Sequence, residues 1–192
     1  MYSYVKERIK HAIRFRHKRG FGVHSPFMFH LILNVIRDKD NLYTYPERAE
    51  KKADIRYKER KFYRLLYRLA SYLEVKQVTC LSAHAENAML YLGELSPETV
   101  VSSNRLSDLQ QADFVYLGRD ARVLLQNQWP RLLALAAGQK RCVVVTHIYK
   151  NSFNAKIWQE LRREATVTVD MMWYGILFFD EKLQKGRYNL II

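Results

Sequence analysis

The segment Thr146-His147-Ile148-Tyr149 holds the side chains of this sequence that are best suited to proton transfer, directly after an apolar run. Histidine can act as a general base near neutral pH because its ordinary pKa lies close to that range. His147, with Tyr149 two positions later, is therefore the catalytic candidate. The alternative for His147 is an ordinary surface residue, because no carboxylate in the neighbouring sequence is placed to orient its ring.

Histidine and cysteine elsewhere do not form a site pattern. The six histidines lack the pairing of a metal site, so no metal is expected. Cys80 and Cys142 lie inside apolar runs, where a free cysteine usually behaves as a small buried hydrophobe. Their spacing is not that of a metal or redox motif. With no secretory signal pattern and no apolar run of about 20 residues, the sequence predicts a cytoplasmic protein without a transmembrane segment.

The net charge of +13 is concentrated in one part of the chain. Residues 1–76 carry 19 Lys and Arg against 8 Asp and Glu, whereas residues 77–192 carry 13 against 11. Such asymmetry favours an anionic partner, which could be nucleic acid, an acidic protein or a membrane surface. The alternative is a solvated basic surface without a dedicated partner. The anion-binding candidates are Arg8, Lys10, Arg14, Arg16, Lys18 and Arg19.

Residues 1–76 are predicted to form a basic helical segment packed on the rest of one structural domain. Apolar residues between Val5 and Ile13 recur at the spacing of one helix face. Ser25 followed by Pro26 predicts a helix start, because a hydroxyl caps the first turn and proline suits its first position. A second charged helix is expected after Pro46. Its predicted solvent-facing residues include Arg60, Lys61, Arg64 and Arg68.

Residues 77–192 are predicted to form an α/β core with a mostly parallel, twisted sheet and helices on both faces. The last two strands are expected to form an antiparallel hairpin at one edge, with Gly186 in its turn. The predicted strands are Gln77–Leu81, Thr99–Ser103, Asp113–Leu117, Arg141–Thr146, Thr166–Met172, Gly175–Asp180 and Arg187–Ile192. The predicted helical stretches are Glu86–Leu95, Arg105–Gln111, Ala121–Ala137 and Asn154–Glu164.

Two segments resemble a bacterial family of class I methyltransferases that use S-adenosylmethionine (SAM). Gly20–Phe29, with the sequence GFGVHSPFMF, is similar to the family's HGVHSPFVF segment. Ala165–Phe179, with the sequence ATVTVDMMWYGILFF, resembles its last strands. The match covers most of the chain. It implies a Rossmann-like sheet with SAM across the carboxyl ends of the first strands.

The positions at which the resemblance implies SAM contacts are altered in this sequence. The family pattern Glu-Leu-Gly-x-x-x-Gly becomes Cys80, Leu81 and Ser82, with Glu86 at the second glycine. The acid expected after the second strand is replaced by Ser103 or Asn104, and Gly118 stands where an aspartate is expected. The implied cofactor-binding candidates are Ser82, His84, Glu86, Ser103, Asn104 and Gly118.

Loss of the ribose acid and of the backbone approach could cost about 3–5 kcal/mol, or two to three decades of affinity. The stretch between Asn104 and Asp113 is also too short for the helix-strand-helix unit that would cover adenine. These changes favour a methyltransferase-like binding or scaffold module with weak or absent SAM binding. Two alternatives stay open: an active SAM-dependent methyltransferase with a divergent pocket, and a basic peripheral binder of nucleic acid or membrane surfaces.

Overall fold

The computed structural model describes residues 5, 7–9, 23–38, 42–119, 121 and 142–190. From residue 77 onward the described residues form seven strands with helices between several of them, as the sequence predicts. The strands are β1 (Gln77–Leu81), β2 (Val100–Ser103), β3 (Phe114–Leu117), β4 (Cys142–Thr146), β5 (Val167–Asp170), β6 (Tyr174–Phe178) and β7 (Gly186–Asn189). The helices are α1 (Pro26–His30), α2 (Glu47–Lys52), α3 (Tyr57–Tyr72), α4 (Glu86–Leu92) and α5 (Ser152–Glu164), with a π-helix at Leu31–Ile36 and a 3-10 helix at Leu106–Gln110.

All seven strands form one sheet in the order β2-β1-β3-β4-β6-β5-β7. The pairs that join β1 to β2, β1 to β3 and β3 to β4 are parallel, as is the pair of β5 with β7. Strand β6 is antiparallel to both β4 and β5. The protein is thus an α/β fold of Rossmann-like type with antiparallel pairing in its C-terminal part, as predicted.

The predicted closing hairpin is wrong in its pairing. Strand β6 does not pair with β7, because β4 and β5 already occupy both of its edges. The antiparallel hairpin is formed instead by β5 and β6, which only Met171–Trp173 separate. Such a short link suits antiparallel neighbours, so β7 adds in parallel to the outer edge of β5.

The link between β2 and β3 holds a single 3-10 helix and no further strand. Strand β2 is consequently the outermost strand on its side of the sheet, with β1 as its neighbour. This arrangement confirms the prediction that no helix-strand-helix unit follows β2.

Two apolar layers cover the sheet. Met28 and Leu66 from the N-terminal helices share one buried cluster with Val78 of β1. On the opposite face, Trp158 of α5 packs in a second cluster with Val143 of β4. Because the N-terminal helices contribute to the first cluster, they belong to the same core as the sheet.

The predicted helix start at Ser25 is confirmed. The Ser25 hydroxyl accepts a hydrogen bond from the Met28 amide at 3.4 Å, and Pro26 occupies the first helical position. The helix then widens into the π-helix, whose last turn is closed by a bond from the Arg37 amide to the Ile32 carbonyl at 3.0 Å. The sequence pattern did not predict this change of helix type.

The charged segment after Pro46 forms two helices, α2 and α3, rather than the single helix expected. A turn separates them, in which Asp54 adopts a left-handed φ of 47°. The short α2 lies against α3 through Glu50, which is 1% exposed. The turn between α2 and α3 reverses the chain direction enough for the Glu50 side chain to contact the arginines of α3.

The prediction that the arginines of α3 face solvent is wrong for Arg64 and Arg68. Arg64 donates two hydrogen bonds to the Glu50 carboxylate, at 2.8 and 2.7 Å. Arg68 donates to the Val35 carbonyl at 2.6 Å and to the Ile36 carbonyl at 3.3 Å, which caps the π-helix. Buried carbonyl and carboxylate oxygens require hydrogen-bond donors, and the guanidinium groups of Arg64 and Arg68 supply them.

Several predictions fall on residues outside the described ranges. These are the helix at Ala121–Ala137 apart from Ala121, and the candidates Lys10, Arg14, Arg16, Lys18 and Arg19. Arg8 lies within them and is exposed. None of the described helices is both long and apolar enough to cross a membrane.

Candidate functional site

The carboxyl ends of β1, β2 and β3 meet at one edge of the sheet. In the parallel register Cys80 lies opposite Ser103, and Leu81 lies opposite Leu117. The residue after each strand therefore reaches the same region, where open α/β sheets usually bind ligands. The cofactor candidates that the sequence singled out are gathered at this edge.

Ser82 is the centre of this edge and is only 2% exposed. Its amide donates to the Asn104 side-chain oxygen at 3.0 Å, and its hydroxyl accepts from the His84 amide at 3.2 Å. The hydroxyl also packs on Gly118, because a Cβ built on Gly118 would lie 2.3 Å from it. We call these three residues, Ser82, Asn104 and Gly118, the Ser82 lock.

Asn104 reaches Ser82 because of its backbone conformation. Its φ of 56° lies in the left-handed region, which asparagine enters more readily than most residues. Its amide donates to the Cys80 carbonyl at 2.9 Å, which fixes the start of the turn after β2. The asparagine is thus held by β1 at both its backbone and its side chain.

The remaining cofactor candidates surround the lock. His84 and Glu86 are exposed, and Glu86 lies in the first turn of the seven-residue α4. Ser103 ends β2 and is half-buried. These residues lie at the same edge as the Ser82 lock, and of them His84 contacts it, through its amide on the Ser82 hydroxyl.

The Ser82 lock differs from the arrangement that the resemblance implies for SAM. A nucleoside cofactor in such a site needs close approach to the backbone after β1 and an acceptor for its ribose hydroxyls. Here the Ser82 amide already has the Asn104 oxygen as its acceptor. The Ser82 side chain fills the space beside Gly118. The residues at the end of β2, Ser103 and Asn104, are neutral rather than acidic.

His147 follows β4 at the same edge and has a left-handed φ of 56°. Its amide donates to the Trp173 carbonyl at 2.6 Å. Its own carbonyl accepts from the Asn154 side chain and from the Lys150 amide, both at 3.0 Å. The backbone of His147 is thus tied to both the β5–β6 turn and α5. Its role as a base stays a prediction.

Tyr149 is placed in the interior rather than at a ligand surface. It is 5% exposed, and its hydroxyl donates a hydrogen bond to the carboxylate of Asp170, which is 2% exposed. Burial raises the pKa of Tyr149, and the neighbouring Asp170 charge raises it further. Arg162 lies 3.9 Å from the same carboxylate. This geometry favours an anchoring role, because a buried phenol with a raised pKa does not supply a base at neutral pH.

A group of hydroxyls behind the edge was not foreseen from the sequence. Tyr116 of β3 is 4% exposed and Thr146 of β4 is 7% exposed. Burial, followed by the nearby Tyr63, raises the pKa of Tyr116 well above its usual range. The Thr146 hydroxyl donates to the Leu117 carbonyl at 3.2 Å. Since Tyr63 comes from α3, only the fold could unite these residues.

A cleft lies beside this group, between the ends of β3 and β4 and the first turns of α5. It is shallow and open to solvent. Its walls are mostly apolar, and Arg119 stands exposed at its side. The described residues that line it are Leu117, Gly118, Arg119, Ala121, Val145, Thr146, Asn154 and Ile157.

Within the described ranges, no three His, Cys, Asp or Glu side chains are grouped in a way that could hold a metal ion. Cys80 and Cys142 are free and buried, and burial raises the pKa of the Cys80 thiol to about 12. Comparisons with protein-family models, with curated proteins and with solved structures find no match to this chain.

Proposed function

We propose that this protein is a methyltransferase-like α/β module that serves as a binding or scaffold protein and holds SAM weakly or not at all. The contact of Ser82 with Gly118 and Asn104 carries this proposal. It occupies, with the chain's own atoms, the position after β1 at which the methyltransferase resemblance implies a cofactor contact.

SAM bound at this edge would have to replace contacts that the folded chain already makes. Binding in this place requires the hydrogen bond between the Ser82 amide and Asn104 to break. It also requires the Ser82 side chain to leave the surface of Gly118. At the end of β2 the ribose would meet Ser103 and Asn104 in place of a carboxylate. A missing hydrogen bond to a charged group costs about 1.5–3 kcal/mol, which lowers the affinity about 10- to 150-fold, so a micromolar dissociation constant would rise to tens or hundreds of micromolar.

Titration calorimetry with SAM tests the proposal directly. We expect no saturable heat at micromolar SAM, and a dissociation constant in the low micromolar range would contradict the proposal. The double variant S82G/N104D restores a glycine and an acid at this edge, and we expect it to bind SAM at least about tenfold more tightly. The matched control S107G/N189D makes the same changes away from the Ser82 lock and should leave the affinity unchanged.

A second feature supports an anionic partner for the module. The interior arginines Arg64 and Arg68 are engaged by Glu50 and by the end of the π-helix. Residues 1–19 hold seven Lys and Arg against one Glu. Of these, Arg8 is exposed. We therefore propose that the N-terminal part of the chain, rather than the sheet edge, contacts the partner.

A further inference from the structure

Two aliphatic side chains stand in solvent at the start of the chain. Val5 is 63% exposed and Ile9 is 56% exposed, and both residues are helical. Four positions separate them, so they lie one turn apart on the same face of a helix. Arg8 beside them is also exposed. Exposed aliphatic residues are common singly, but a paired set next to dense positive charge needs a partner that satisfies both.

The sequence extends this pattern beyond the described residues. Ala12 and Ile13 continue the spacing of Val5 and Ile9. Lys and Arg occupy positions between and after them, at Lys6, Arg8, Lys10, Arg14, Arg16, Lys18 and Arg19. Aliphatic residues at helical spacing that are interspersed with Lys and Arg are typical of segments that bind the membrane interface.

We infer that the start of the chain docks the protein on an anionic lipid surface, with Val5 and Ile9 inserted among the headgroups and Arg8 on the lipid phosphates and carboxylates. This inference rests on the proposed anionic partner and names its class. A lipid surface is favoured over nucleic acid because the lipid interface would bury Val5 and Ile9, whereas a nucleic acid would leave them in solvent. An acidic protein surface would need an apolar groove that matches them.

Co-sedimentation with phosphatidylcholine vesicles, with and without phosphatidylserine, tests this inference on the full chain. We expect binding only when phosphatidylserine is present, and we expect it to weaken as salt screens the charges. R8E should reduce binding by at least about fivefold, the value of one basic residue near an anionic surface. R48E, at an exposed arginine of α2, is its control and should change binding less.

A second pair of variants tests whether the aliphatic side chains insert into the lipid surface. V5S/I9S should weaken vesicle binding by about tenfold, since it removes the inserted surface without changing charge. L42S/V100S removes two side chains of similar exposure, 66% and 55%, and should bind like the wild type. Thermal unfolding of all variants confirms that each is folded.

Two results would overturn the inference. One is vesicle binding by V5S/I9S that equals the wild type. The other is absence of vesicle binding at low salt, whether or not a single-stranded RNA or a DNA duplex binds in parallel anisotropy measurements. The SAM titration is independent of both results, so failure of lipid binding and failure of the proposed loss of SAM binding can be told apart.

Discussion

At the scale of single residues, the most consequential contact is that of Ser82 with Gly118. A side chain after β1 and a glycine after β3 approach so closely that no Cβ fits between them. A glycine is needed at position 118 because a side chain there would overlap the Ser82 hydroxyl. The Gly118 amide donates to the Leu81 carbonyl at 2.9 Å, which holds its backbone next to β1. Through this contact the residues that follow β1 and β3 pack against each other at the carboxyl edge of the sheet.

A double-mutant cycle measures this contact. G118A should destabilise the protein by about 1–3 kcal/mol, because the new methyl overlaps the Ser82 hydroxyl. The same substitution in an S82G background should cost much less, because the overlapping atoms are gone. Urea denaturation of the four proteins gives the coupling energy. Equal costs of G118A in both backgrounds would show that the packing of Ser82 on Gly118 is not tight.

At the scale of elements, Glu50 fastens the short α2 to α3. Its carboxylate is 1% exposed and accepts both hydrogen bonds of Arg64, while Arg60 lies 3.7 Å away. The hydrogen bonds from Arg64 lower the pKa of Glu50, although burial acts in the opposite direction. A six-residue helix gains little stability from its own backbone, so this ion pair is a main reason for its position.

E50Q should destabilise the protein by about 2–3 kcal/mol at pH 7, because the Arg64 guanidinium loses its charged acceptor. The folded pKa of Glu50 lies below its ordinary value of 4.5, so its stabilisation is complete above that value. It is lost as the pH falls through the folded pKa. The difference between E50Q and wild type in chemical denaturation should therefore shrink in acid.

The matched control for this prediction is E47Q, at an exposed glutamate of the same helix. It should change the free energy of unfolding by less than about 0.5 kcal/mol. A loss of stability in E50Q that is independent of pH would contradict the assigned ion pair.

At the scale of the whole molecule, the N-terminal helices and the sheet share one core. The Phe27 ring of α1 meets the Phe178 ring of β6 edge to face, with centroids 5.1 Å apart. Phe62 of α3 lies 4.8 Å from Tyr174 at the start of the same strand. These contacts tie residues that the sequence separates widely, so the two parts should unfold together.

F27A tests this coupling. We expect a loss of about 2–3 kcal/mol, with the same midpoint shift in circular dichroism and in tryptophan fluorescence, to which Trp158 on the opposite face contributes. F29A, at a 42% exposed position in the same helix, should have a much smaller effect. Separate transitions for the two signals would show that the N-terminal helices and the sheet are independent units.

Local patterns in the sequence were sufficient for most elements. The predicted strand Gln77–Leu81 coincides with β1, and Ser25 with Pro26 marked the first residue of α1. Both follow from side-chain spacing and backbone preference within a few positions. The position of Ser82, Asn104 and Gly118 at one edge was also predictable, because the carboxyl ends of parallel strands must meet there.

The sequence by itself therefore determined the α/β class, the order of the described strands and helices from residue 77 onward, and the missing glycines and acid of the implied cofactor site. Only the tertiary structure decided which strand pairs with β6, that Arg64 and Arg68 serve the interior, and that Asn104 closes on Ser82 22 positions earlier. Periodicity reports which face of an element is buried. The partner of a buried charge or amide is chosen by distance in space, which local spacing does not encode.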